Sequence, residues 1–100
     1  MSTNAIKDLA YSIFRNIEAK AKFINIKEKI DKGDFFAQCV IELMQIRKIE
    51  YLIVKNEFTV ILEIGNRKLS FWIVEIPELS QEFEYIEYFY SELVSKLYCT

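Results

Sequence analysis

The sequence predicts an α+β fold: two N-terminal helices, a three-stranded antiparallel meander, and a C-terminal amphipathic helix packed on the sheet. Three observations carry this. Apolar residues recur at three-and-four spacing near both ends of the chain, three β-rich runs occupy its middle, and two short polar separators divide those runs. One hundred residues fit a single domain with one core, and only two glycines and one proline leave little room for long irregular loops.

The first helix is read from Ile6, Leu9, Ala10, Ile13, Phe14, Ile17, Ala21 and Ile24, which fall on one face over five turns. Ser2, Thr3 or Asn4 can cap it. The stripe degrades after Ile24, where the helix can bend, end early or give way to a strand covering residues 22–30; continuation as helix to about Asp31 is preferred. At Lys32-Gly33-Asp34 the chain breaks, with Gly33 suited to a left-handed helix end and Asp34 to the cap of the next helix.

Residues 35–46 admit two readings. A helix places Gln38, Glu42 and Gln45 on one polar stripe, whereas a strand gives Phe35, Ala37, Cys39, Ile41 and Leu43 an unbroken apolar face. Helix is preferred because Ala, Gln, Glu, Leu and Met favour it.

The runs Ile49–Lys55, Phe58–Ile64 and Lys68–Ile76 are separated by Asn56-Glu57 and Gly65-Asn66, residues able to supply the positive backbone angles of tight hairpins. The third run is apolar on both sides, with Leu69, Phe71 and Ile73 on one and Trp72, Val74 and Ile76 on the other. Both faces of such a sheet require cover; helices can supply one, and a second subunit the other. Pro77 ends the strand and can open a helix, with Glu78 in its first turn. On that helix Leu79, Phe83, Ile86, Tyr90, Leu93, Val94 and Leu97 form the apolar side, and Glu84, Tyr88, Ser91, Glu92 and Ser95 the other, flanked by Gln81 and Tyr85.

Charge is unevenly distributed. Residues 69–95 hold six glutamates (Glu75, Glu78, Glu82, Glu84, Glu87 and Glu92) and no lysine or arginine. Residues 1–32 carry seven Lys or Arg against four Asp or Glu, so the net charge of −2 hides two opposed ends.

Slightly over half the residues are apolar, which argues against disorder, and no uncharged apolar stretch approaches the roughly 20 residues of a membrane-spanning helix. A soluble, intracellular, cytoplasmic protein is expected, in keeping with an amino terminus that lacks a secretory pattern. Cys39 and Cys99 resemble neither a disulfide framework nor a metal motif and are read as reduced thiols. The richness in Ile, Lys, Glu, Tyr and Phe suits an AT-rich genome or a heat-adapted source, and is the composition met in small phage and viral accessory proteins.

The absence of histidine removes the commonest general base and metal ligand, and there is no Gly-rich phosphate loop. Paired carboxylates among Glu63, Glu75, Glu78, Glu82, Glu84 and Glu87 are the remaining route to catalysis or metal binding. Such chemistry requires a cleft that separates their pKa values, and no sequence feature predicts one. The expectation is a non-catalytic protein without cofactor or metal.

An exposed helix is ordinarily laced with Glu–Lys pairs four apart, and here none forms before Lys96. Acids interleaved with tyrosine suit contact with a basic protein surface, and Glu84, Tyr85, Tyr88 and Glu92 are the predicted partner-binding residues. The leading reading is thus a homodimeric interaction protein, in one form an inhibitor filling the nucleic-acid channel of a host complex, as acidic DNA-mimic and anti-CRISPR proteins do. The alternative is a nucleic-acid-binding or virion-associated protein using Arg15, Lys22 and Lys29, which recur every seven residues on helix 1. Asp8 and Glu18 interrupt that face, and the overall pI is about 5.2.

Overall fold

A computed structural model describes Thr3–Phe23 and residues 31–98. Helix α1 spans Thr3–Phe23 and α2 spans Lys32–Arg47; strands β1 (Leu52–Lys55), β2 (Thr59–Ile64) and β3 (Arg67–Trp72) follow, and then a 3₁₀ turn at Ile73–Glu75. The C-terminal helix begins as α3 (Glu82–Phe89), passes through a π-helical turn at Tyr90–Val94 and ends as α4 (Ser95–Tyr98). The class is α+β, with a three-stranded antiparallel sheet ordered β1-β2-β3. Contacts divide the chain into two compact units, Glu28–Ile76 and the pair of terminal segments Met1–Lys27 and Pro77–Thr100.

In the first unit, residues 35–46 are helical, as propensity favours, and α2 lies on one face of the sheet. That face is built from the alternate residues Val60, Leu62 and Phe71, all buried, and Phe36 of α2 meets the Phe71 ring at 5.0 Å between centroids. The helix start differs from expectation. Asp31, not Asp34, is the cap, its Oδ1 accepting from the backbone N–H groups of Gly33 (2.7 Å) and Asp34 (3.1 Å). Gly33 therefore sits within the first turn of α2 rather than closing a helix.

What glycine supplies there is room. A Cβ at position 33 would stand 3.0 Å from Asp31 Oδ1, 3.0 Å from Ile73 Cδ1 and 3.1 Å from Lys55 Cε. Lys55 Nζ reaches Asp34 at 2.9 Å and Asp31 at 3.9 Å, while Lys32 Nζ donates to the Ile76 carbonyl at 2.7 Å. The hydrogen bond to Asp34 and the two aspartate charges hold the Lys55 ammonium above its ordinary pKa. The far end of α2 closes through Lys48, which adopts φ 55° and ψ 44° and donates to Gln45 O at 3.2 Å; Ile49 N–H donates to Met44 O at 3.0 Å.

Both hairpins occur where the separators predict, by different means. Gly65 takes φ 57° between Ile64 and Arg67, as a two-residue turn requires. The β1–β2 turn uses no positive angle; Asn56 Oδ1 instead accepts from Phe58 N–H (2.9 Å), Thr59 N–H (2.8 Å) and the Thr59 hydroxyl (3.0 Å), so an Asx turn replaces the backbone device. Strand β3 stops at Trp72, four residues short of Ile76, because the chain coils into the 3₁₀ turn closed by Ile76 N–H to Ile73 O at 3.0 Å.

In the second unit α1 and α3 run antiparallel, since Lys7 meets Glu87 while Arg15 meets Glu82. Ala10, Ile13 and Phe14 are buried on α1, and Tyr85, Ile86, Phe89, Leu93 and Val94 on the C-terminal helix. Phe14 and Tyr85 meet edge to face, with centroids 5.5 Å apart at 61°. Pro77 does not open the helix. A reverse turn closed by Gln81 N–H to Glu78 O (2.9 Å) intervenes, and α3 begins at Glu82. The expected continuation of α1 over residues 24–30 lies outside the described residues.

Candidate interaction surfaces

The late start of α3 rearranges the predicted acidic face. Glu82 and Glu84 now occupy its first turn, where exposed N–H groups favour an anion. Tyr85, predicted as a partner contact, is instead fully buried against Phe14, and Phe83, predicted as core, is 62% exposed. The predicted apolar stripe includes Leu79, which lies in the preceding turn and not on the helix, so it does not share the helical phase of the residues from Glu82 onward. Of the four predicted residues, Glu84 is exposed, Tyr88 and Glu92 are partly exposed, and Tyr85 cannot contribute a surface.

Much of the apparent surplus of acid is balanced within the chain. Lys7 Nζ donates to Glu87 Oε1 at 3.0 Å and stands 5.3 Å from the centre of the Tyr90 ring. That hydrogen bond and the Glu87 charge raise the Lys7 pKa. Arg15 Nη2 lies 2.9 Å from Glu82 Oε1, an oxygen shielded from solvent, although the guanidinium is not aligned for a hydrogen bond. Lys96 pairs with Glu92 at 3.1 Å, one turn away. Lys7 and Arg15 of α1 and Lys96 of α4 thus supply cations to three of the six glutamates of residues 69–95.

The same pairing bears on the alternative nucleic-acid face. Arg15 is engaged by Glu82; Lys22 is placed on the backbone of α1, and Lys29 falls outside the described residues. The described residues contain no group of three or more His, Cys, Asp or Glu able to hold a metal ion, and no helix long and apolar enough to cross a membrane. Cys39 is buried in α2, where desolvation pushes its thiol up and leaves it protonated; Cys99 is outside the described residues.

A different surface stands out. The strand register places Leu52 opposite Glu63, which is opposite Lys68; Val54 opposite Ile61, which is opposite Ser70; and Thr59 opposite Trp72. These alternate residues form the sheet face turned away from α2. On it Leu52 is 56%, Val54 49% and Trp72 52% exposed, and Ile61 at its centre is partly exposed. An apolar band therefore runs from Leu52 through Val54 and Ile61 to Trp72, edged by Thr59, Ser70 and the Glu63–Lys68 pair. That organisation, an apolar centre with a polar rim, is the anatomy of a protein interface. The two-sided apolar character of the third β-rich run anticipated an uncovered face; the contributions of Leu52, Val54 and Ile61 required the register.

No known family model, curated protein or solved structure matches this chain. The class is consequently defined by the molecule itself: an α+β chain whose acidic C-terminal helix has Glu82, Glu87 and Glu92 paired within the chain and whose sheet leaves one apolar face exposed.

Proposed function

We propose that this is a small, non-catalytic protein-interaction protein that engages its partner through the open face of the sheet, centred on Trp72, Val54 and Ile61. The observation that carries the reading is the half-exposed Trp72 on the same sheet face as half-exposed Leu52 and Val54, joined to them across Ile61 on regular, hydrogen-bonded strands. Tryptophan is enriched among the residues that dominate binding energy, and a rigid sheet presents it at little entropic cost.

Two features disfavour the acidic helix as the principal contact. Its tyrosine at position 85 is core, and Glu82, Glu87 and Glu92 each have a cation within 3.1 Å. Exposed Glu84 and Phe83 support a subsidiary role for that helix toward a basic partner, in which charge would speed encounter more than strengthen binding.

A photo-reactive side chain at Ser70, exposed beside Ile61, tests the reading in the cell that makes the protein. Efficient formation of a discrete covalent adduct that is lost on Trp72→Glu replacement supports it. Illumination that yields no adduct would contradict it.

A further inference from the structure

Resting on that reading, we infer that the occupant of the open sheet face is a second copy of this chain, packed face to face about a two-fold axis that crosses the strands above the Val54–Ile61–Ser70 row. Three observations select this occupant. First, the face has no net charge. Its one acid and one base, Glu63 and Lys68, are directly opposite each other on β2 and β3, so the face neither repels its own copy nor selects a strongly charged partner.

Second, the arrangement is self-complementary. Rotation about the stated axis exchanges the Glu63–Lys68 end of the face with its Thr59–Trp72 end, because these pairs lie equally far from the central row. Lys68 then meets the partner's Trp72, an ammonium over an indole, and Glu63 meets the hydroxyl of the partner's Thr59. Val54 and Ile61 lie near the axis and meet their own counterparts, which suits isologous contact between apolar side chains.

Third, the size is appropriate. The exposed fractions of Leu52, Val54, Ile61 and Trp72 correspond to roughly 300–400 Å² of apolar surface, within the range of the largest patches on monomers. With its rim, and counted on both copies, this approaches the low end of specific interfaces, about 1,200 Å² in total. A reversible dimer with a dissociation constant in the micromolar range is the outcome that fits, not an obligate one.

The test is sedimentation mass over a concentration series for the full chain and two opposite charge variants near the axis, Val54→Lys and Val54→Glu. The expected result is a dimer for the unaltered chain, persistent at high salt, and monomers for each variant alone. An equimolar mixture of the two variants should recover the dimer, because the two-fold contact brings position 54 against itself; burial of Trp72 on association distinguishes the face from the free edge of β1. Far-UV circular dichroism and thermal unfolding establish that each variant is folded. Should one of them fail to fold, Lys68→Glu takes its place, since it sets a carboxylate over the partner's Trp72 and should weaken the dimer at least tenfold.

A chain that remains monomeric throughout overturns the inference, as does a dimer that survives in both Val54 variants or dissociates with salt. These failures are separable from failure of the interaction reading. A monomeric chain whose Ser70 probe captures a different protein refutes only the second copy, whereas a probe that captures nothing refutes both.

Discussion

The two units of this chain handle their surfaces in opposite ways. In the helical unit charge is abundant, and α1 supplies the cations that α3 lacks: Lys7 meets Glu87 and Arg15 meets Glu82, with Phe14 and Tyr85 closing the apolar side between them. In the sheet unit α2 covers one face, leaving Leu52, Val54 and Trp72 half exposed on the other. A conspicuous sequence feature and an available surface need not coincide. The acidic segment dominates the sequence, yet three of its glutamates are paired within the chain; the open apolar face is hinted at by the two-sided third run, but its full extent appears only once strands are placed in register.

Substitutions at one aromatic residue from each unit should break this contrast if it is wrong. Tyr85→Ala removes a fully buried ring and its edge contact with Phe14, and should destabilise the protein by about 3–5 kcal/mol in urea unfolding. Trp72→Ala, on an open face, should leave the unfolding free energy of the monomer within about 0.5 kcal/mol while abolishing association. Equal stability losses at the two positions would mean that Trp72 belongs to a core.

A change of intermediate size concerns the entry to α2. Gly33→Val places a branched side chain against Asp31, Ile73 and Lys55, and is expected to cost about 1–3 kcal/mol by the same measurement. Its mechanism is crowding within the sheet unit, so the position of the dimer equilibrium should not change once folding is allowed for. The smallest effect has the opposite sign. Lys48 occupies the left-handed region at the end of α2, and Lys48→Gly should raise stability by about 0.5–1 kcal/mol, as relief of side-chain strain outweighs the added freedom of the unfolded chain.

Much of the fold was legible in the sequence because its signals are local. Asn56 and Gly65 mark the hairpins through their own turn chemistry, and the composition of residues 35–46 decides for helix. The misread features depend on contacts or on phase. Asp31 takes the cap assigned to Asp34 because its side chain reaches two N–H groups beyond it. The predicted stripe that includes Phe83 and omits Tyr85 runs across a reverse turn, and the π-helical turn at Tyr90–Val94 is a further departure from uniform α-helical spacing. Ion pairs between residues some 70–80 positions apart, such as Lys7 with Glu87, have no local signature at all.

Trp72 is the sole tryptophan in the chain, so its fluorescence reports on the open face without a label. The decisive measurement is emission as a function of protein concentration, followed together with sedimentation mass. If the face is an interface between copies, emission shifts to the blue as Trp72 loses water, over the same concentration range in which mass doubles and with the same midpoint in high salt. A water-exposed spectrum at every concentration, or mass doubling while Trp72 remains exposed, would contradict the claim that this face is where the protein makes its contact with another copy.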